Sequence, residues 1–178
     1  DLHASQIQGF FDIPVDHLYA INVLCDYIAS KGFNPKDLVV VTSDVGGVKM
    51  ARAYAKRLGA ELAVVDKRRK GPETTEVMHI LGDVKGKNVV MVDDIIATGG
   101  SLVEAVGALK ANGAKDIYAT VSHGILSGNA IAKLESCKDL KEIVITDSIP
   151  LPKEKQISKI TVITVASLLA EAVRRIYG

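Results

Sequence analysis

Residues 89–102, VVMVDDIIATGGSL, run from four apolar side chains into two adjacent carboxylates, Asp93 and Asp94, and then into a Thr-Gly-Gly-Ser turn. Carboxylates repel phosphate but accept hydrogen bonds from hydroxyls. Successive N–H groups of a Gly-rich turn ahead of a helix do the opposite and cradle phosphate, helped by the helix dipole. Thr98 and Ser101 add hydroxyl donors around Gly99 and Gly100, whereas Ala97 offers only its backbone. A phosphorylated pentose satisfies both halves, with acids for the ring hydroxyls and amides for the phosphate. A plain strand-to-helix turn with solvated acids would call for neither.

Two other polar stretches close apolar runs. DKRR places Lys67 and Arg69 at alternate positions, on one side of an extended segment, ahead of a Gly/Pro loop. Cations there can neutralise the charge that develops in phosphoryl transfer, although a solvated basic edge has the same composition. TSDVGG sets Asp44 at the end of another run. One carboxylate of this kind suits hydrated Mg²⁺, and it equally suits an N-cap. His3 carries little on spacing alone; His17, His79 and His123 lack metal spacing and read as structural. No GxxxxGK[ST] segment occurs, so phosphate is not held by a Walker-type loop.

The elements that must position these residues alternate. Strands are expected at 35–44, 60–69, 76–84, 87–94, 115–124, 141–149 and 159–165. Helices are expected at 45–59, with Gly59 as its C-cap, and at 100–114, 129–137 and 166–178, with loop chemistry at 70–76. Such alternation specifies an α/β fold with a mostly parallel, doubly wound sheet flanked by helices. Ligands then bind beyond the carboxyl ends of the strands, so TSDVGG, DKRR and DDIIATGGS should converge on one cleft. Residues 1 to about 19 stand outside the alternation. They read as the remnant of another domain, and 20–178 as the main one.

Composition excludes several partners. A net charge of +1 and 4% aromatic residues without tryptophan give no basis for nucleic acid or an anionic membrane. No apolar run reaches spanning length and no signal-peptide pattern opens the chain, so the expected location is cytoplasmic. Cys25 and Cys137 form no CxxC pair and read as buried thiols of a reducing compartment.

Taken together, these segments resemble the ribose-phosphate diphosphokinases, or phosphoribosyl pyrophosphate synthetases. DLHASQIQGFFDIPVDHLYA is very similar to the signature segment of that family. SDVGGVKMARAYAKRL, DKRR, EVMHILGDVKGKNVVMVDD, SHGILSGNAI and ITDSIP follow in the order of its C-terminal half. The resemblance covers essentially the whole chain, while family members are nearly twice as long. It implies a type I phosphoribosyltransferase-like fold, Mg²⁺ as cofactor, and homo-oligomers. The implied reaction is that of ATP with ribose 5-phosphate, giving phosphoribosyl pyrophosphate and AMP. By position, Asp93 and Asp94 would face the ring hydroxyls, and Ala97, Thr98, Gly99, Gly100 and Ser101 would surround the 5-phosphate. Lys67 and Arg69 would be catalytic, and His3 and Asp44 would hold metal and nucleotide phosphates. Ala97 and Ser101 depart from the aspartate and threonine of many bacterial members, and ATGGS is more similar to archaeal-type synthetases and to some nucleobase phosphoribosyltransferases. The competing expectations are a type I phosphoribosyltransferase acting on a nucleobase and a non-catalytic synthetase-associated subunit. The first gives no purpose to DLHASQIQGFFDIPVDHL and DKRR, and the second none to Lys67, Arg69, Asp93 and Asp94.

Overall fold

The computed structural model describes residues 1–68 and 77–178; Arg69 and the loop expected at 70–76 lie outside the described residues. The strands are β1 (Leu38–Thr42), β2 (Glu61–Arg68), β3 (Val77–Leu81), β4 (Asn88–Ile96), β5 (Ile117–Gly124), β6 (Leu140–Thr146) and β7 (Ile160–Ile163). The helices are α1 (Ile21–Ser30), α2 (Val48–Leu58), α3 (Gly100–Ala111), α4 (Ala130–Ser136) and α5 (Ala166–Tyr177). Among the described residues the strands form one sheet in the order β3-β2-β1-β4-β5-β6-β7, parallel except for β3 against β2.

Successive residues of β1 and β4 serve opposite faces, which is why these strands read as unbroken apolar runs. Val39, Val41, Val89 and Met91 pack with Leu102, Val106 and Leu109 of α3 and Leu134 of α4. Val40, Val90 and Val92 pack on the other side with Leu24 and Ile28 of α1 and Ala51 and Tyr54 of α2. Both faces of the sheet are therefore covered, as a doubly wound fold requires.

Several boundaries differ from expectation for local reasons. Residues 35–37 form a 3₁₀ turn rather than strand, because Pro35 lacks an N–H and Asn34 accepts the Lys36 N–H. The helix expected from 45 begins at Val48, because residues 44–47 form a tight turn closed by Asp44. Gly59 caps it in the left-handed conformation at φ 65°, as expected. β4 runs two residues beyond 94, held by the pairs Ile95↔His123 and Ile96↔Gly124 with β5, so both acids lie within the strand. β6 ends at Thr146, where the chain turns and Asp147 Oδ1 accepts the Val165 N–H at 2.9 Å. α1 is a helix that the alternation did not include. Cys25 is fully buried in it, but Cys137 is only half-buried. Within the first nineteen residues, a 3₁₀ turn at Ser5–Phe10 buries no side chain.

Candidate functional site

The chain passes from β1 through α2 to β2 on one side, and β4 then pairs with the other side of β1. The carboxyl ends of β1 and β4 thus bound a topological switch point, where α/β sheets bind ligands. Register places Thr42 beside Val92, so the next residues, Ser43 and Asp93, are also neighbours. The Ser43 hydroxyl donates to Asp93 Oδ2 at 3.2 Å, and the Asp94 N–H donates to Asp93 Oδ1 at 2.9 Å. A cavity of about 290 Å³ opens here. Asp44 after β1, Lys67 from β2 and Asp93 from β4 all line it, so the three strand ends do converge.

Asp44 closes the turn before α2. Its Oδ1 accepts the Gly47 N–H at 2.7 Å, and Thr42 Oγ1 donates to its carbonyl at 3.1 Å. A Cβ on Gly47 would fall 2.2 Å from Thr42 Oγ1, so only glycine fits this close approach. Asp44 lines the cavity, and among the described residues its Oδ2 has no hydrogen-bond partner. The turn bond occupies only one of its two oxygens, so closing the turn does not exclude the ligand role expected from the sequence.

Ala97, Thr98, Gly99, Gly100 and Ser101 form the opposite wall of the same cavity. Gly99 adopts φ 70°, and a Cβ there would meet Leu134 of α4 at 3.4 Å. The first helical bond of α3 is Val103 N–H to the Gly99 carbonyl, so the amides of Gly100, Ser101 and Leu102 precede it without intrahelical partners. Residues 125–127 secure the preceding carbonyls. The Ile96 oxygen accepts from the N–H groups of Ile125 and Leu126, and the Ala97 oxygen from Ser127 at 2.9 Å. Leu126 is fully buried at φ 51°, a left-handed conformation that side-chain-bearing residues seldom adopt.

The two acids diverge. Asp93 borders the small cavity and also a larger one of about 670 Å³, whereas Asp94 borders only the larger. This follows from their adjacency within a strand, where neighbouring side chains point to opposite faces. His3 lines both cavities, and its Nδ1 lies 3.0 Å from Asp94 Oδ2. Burial pushes the Asp93 carboxyl up to about 6; the neighbouring Asp94 charge reinforces this, while the Asp94 N–H and the Ser43 hydroxyl oppose it. Lys67 Nζ lies 2.6 Å from Oε2 of Glu104 on α3. Among the described residues, no three His, Cys, Asp or Glu side chains cluster as a metal cage.

Residues 69–178 match the family model described as the phosphoribosyl synthetase-associated domain. The chain belongs to that family. A ribose-phosphate pyrophosphokinase of Clostridium acetobutylicum is 53% identical over 177 residues, which are 99% of this chain and 55% of that protein. The chain thus spans about half the length of the curated relatives it matches. The crystal structure of phosphoribosylpyrophosphate synthetase from Mycobacterium smegmatis superposes with a TM-score of 0.89 at 39% identity, covering 99% of this chain and 57% of that one. APRTase from Giardia lamblia, crystallised with 9-deazaadenine, is similar in fold alone, with a TM-score of 0.50 at 18% identity over 82% of this chain and 78% of that one. The type I phosphoribosyltransferase-like α/β fold is therefore present. Among the described residues of this phosphoribosyl synthetase-associated domain, no helix is long and apolar enough to cross a membrane.

The domain also builds its site from residues that sequence reasoning passed over. Ser43 differs from any surface serine only through its register against β4. Glu104 carries no motif chemistry of its own, and residues 125–127 lie within SHGILSGNAI without a chemical signature there; they matter because folding sets them beside Lys67 and the Gly-rich turn.

Proposed function

We propose that this chain carries the sugar-phosphate site and catalytic lysine of a ribose-phosphate diphosphokinase. That enzyme transfers the diphosphoryl group of ATP to the C1 hydroxyl of ribose 5-phosphate. The observation that carries this reading is the meeting of Asp93, the open amides at Gly100 and Ser101, and Lys67 around one cavity of about 290 Å³. The similarity to proteins named ribose-phosphate pyrophosphokinase supports it.

In this reading the 5-phosphate rests on the Ala97–Ser101 turn and the start of α3, where unpaired amides and the helix dipole favour an anion. Asp93, with Asp94 behind it, accepts hydrogen bonds from the ring hydroxyls. The C1 oxygen then attacks the β-phosphorus, the bond from that phosphorus to the α,β-bridging oxygen breaks, and AMP leaves in line while the hydroxyl proton passes to water. Lys67, with Arg69 beyond the described residues, stabilises charge on the transferring oxygens.

The donor set fits Mg²⁺. Asp44 offers one oxygen at an open cavity with no enclosing cage among the described residues, and Mg²⁺ takes one or two carboxylates with waters and substrate phosphates. Asp44, with His3 beside it for the nucleotide phosphates, would hold the ion, which when bound neutralises phosphate charge. Assembly with copies of the chain is part of the same reading. Exposed Phe10 and Ile13, and Leu169, Val173 and Ile176 along α5, offer apolar surface for it. Residues 1–19, outside the βα alternation, are assigned to a second unit.

Phosphorus NMR of the chain with ATP, ribose 5-phosphate and Mg²⁺ tests the reading. An anomeric diphosphate accumulating with AMP is the expected result for a complete site. Ribose 5-phosphate binding by calorimetry without turnover assigns the chain to the sugar-phosphate half of a split site. Absence of both overturns the proposal.

A further inference from the structure

Lys67 lines the small cavity, but Glu104, whose carboxylate holds its ammonium at 2.6 Å, does not. The ion pair therefore ties the lysine ammonium to a residue of α3 that does not line the cavity. Glu104 stands one turn past the start of that helix, and its own helical neighbours at three and four residues are Gly100, Ser101, Gly107 and Ala108, none of them cationic. Among the described residues, Lys67 is the cation paired with this carboxylate. A carboxylate one turn below an anion site also opposes anion binding unless it is neutralised.

We propose that Glu104 is a latch for Lys67. In the empty site it keeps the ammonium tied to α3, and a polyphosphate entering the cavity draws the ammonium away from it. This rests on the reading of Lys67 as the group that meets the diphosphoryl oxygens. The pair is suited to release, because Glu104 is 54% exposed and Lys67 31% exposed. An ion pair so accessible to water holds by a factor of only about two to five. Several phosphate charges in a partly enclosed cavity outcompete it. Glu104 is therefore a positioning residue that sets how readily Lys67 is delivered, without touching substrate.

Calorimetric titration of the chain with pyrophosphate, comparing wild type, Glu104→Gln, Lys67→Ala and the double variant, tests the latch. Glu104→Gln should tighten pyrophosphate about two- to fivefold, and the gain should vanish in the Lys67→Ala background. An equal gain in both backgrounds would mean a general field effect and overturn the latch. So would unchanged affinity, or no pyrophosphate binding by any variant. In the wild-type chain the ¹⁵N signal of the Lys67 ammonium should move on adding pyrophosphate towards its position in Glu104→Gln, and a signal already identical in the two free proteins counts against the ion pair. Ribose 5-phosphate added to the same sample should shift the amides of Gly100 and Ser101. Loss of that response marks a failure of the underlying functional reading, separately from a failure of the latch.

Discussion

Ser43 donates its hydroxyl to Asp93 Oδ2 at 3.2 Å, joining the ends of β1 and β4 across the switch point of the sheet. The bond and the Asp94 N–H together occupy one site on each Asp93 oxygen, which fixes the carboxylate plane before any ligand arrives. They do not fully compensate for burial beside a second acid, and the Asp93 carboxyl is held up at about 6. The site thus keeps a carboxylate that is costly to ionise where the proposed function calls for a hydroxyl acceptor, a cost of the kind functional sites commonly carry.

Asp93→Asn should therefore weaken ribose 5-phosphate binding and strengthen the fold at neutral pH. Because the folded pKa is raised above the ordinary value near 4, the stability contributed by protonated Asp93 is complete below pH 4 and is lost as pH rises through about 6. Asparagine has nothing to ionise. The melting temperature of the variant should exceed that of wild type by about 2–4 °C per kcal/mol at pH 7.5, and the gap should shrink towards pH 4.5. A gap that is constant with pH, or a wild-type melting temperature above that of the variant at pH 7.5, would show that Asp93 is not the strained group.

How much of this was legible beforehand varies with the physics involved. The acids, the Gly-rich turn and Asp44 were visible because strand ends, turn glycines and caps leave local signatures. α1 is not part of the expected alternation although Ile21, Leu24, Cys25 and Ile28 recur at helical spacing, because it precedes the first strand and so stands outside any βα unit. The antiparallel direction of β3 follows from the eight residues between Arg68 and Val77, fewer than a parallel crossover takes. The divergence of Asp93 and Asp94 already follows from alternation in the strand expected at 87–94, and the pairing of Ile95 and Ile96 with β5 holds both acids well inside it. The Ser43–Asp93 bond, the Lys67–Glu104 pair and the Ile125–Ser127 support are products of register and packing; TSDVGG and SHGILSGNAI hold some of these residues, but no short window holds both partners.

Gly99→Ala probes the turn itself. Its φ of 70° costs an L side chain roughly 1–2 kcal/mol, and the new Cβ would press Leu134 at 3.4 Å. The turn should relax away from the geometry that presents the Gly100 and Ser101 amides. The expected result is a drop in ribose 5-phosphate affinity of about tenfold, equivalent to about 1.4 kcal/mol, with pyrophosphate binding at Lys67 less affected. Calorimetry with each ligand checks the split, and equal losses would point to general unfolding instead.

Lys67→Ala should separate chemistry from sugar binding. The side chain enters the cavity from β2, on the far side of β1 from the Asp93-bearing strand, so ribose 5-phosphate should bind the variant nearly as well as the wild type. Turnover, measured in a protein that also supplies the rest of the relatives' length, should fall by about two orders of magnitude or more, the scale on which single groups stabilising transition-state charge act. Sugar-phosphate affinity falling in parallel would remove Lys67 from the assigned role.

Asp44→Asn tests whether the two oxygens of this side chain serve different ends. Asparagine keeps a carbonyl oxygen that can accept the Gly47 N–H, so the turn into α2 should survive and the melting temperature should change little. What disappears is the negative charge of a side chain that lines the cavity. If that charge helps to hold hydrated Mg²⁺ with substrate phosphates, the variant should need more Mg²⁺ to reach half-saturation of ATP binding, and affinity for ribose 5-phosphate without metal should stay the same. Asp44→Ala, by contrast, should lose the turn bond as well and melt lower, by about 0.5–2 kcal/mol in stability. A titration of ATP affinity against Mg²⁺, alongside melting curves for both variants, separates these contributions. Identical Mg²⁺ dependence in wild type and Asp44→Asn would leave Asp44 as a cap alone.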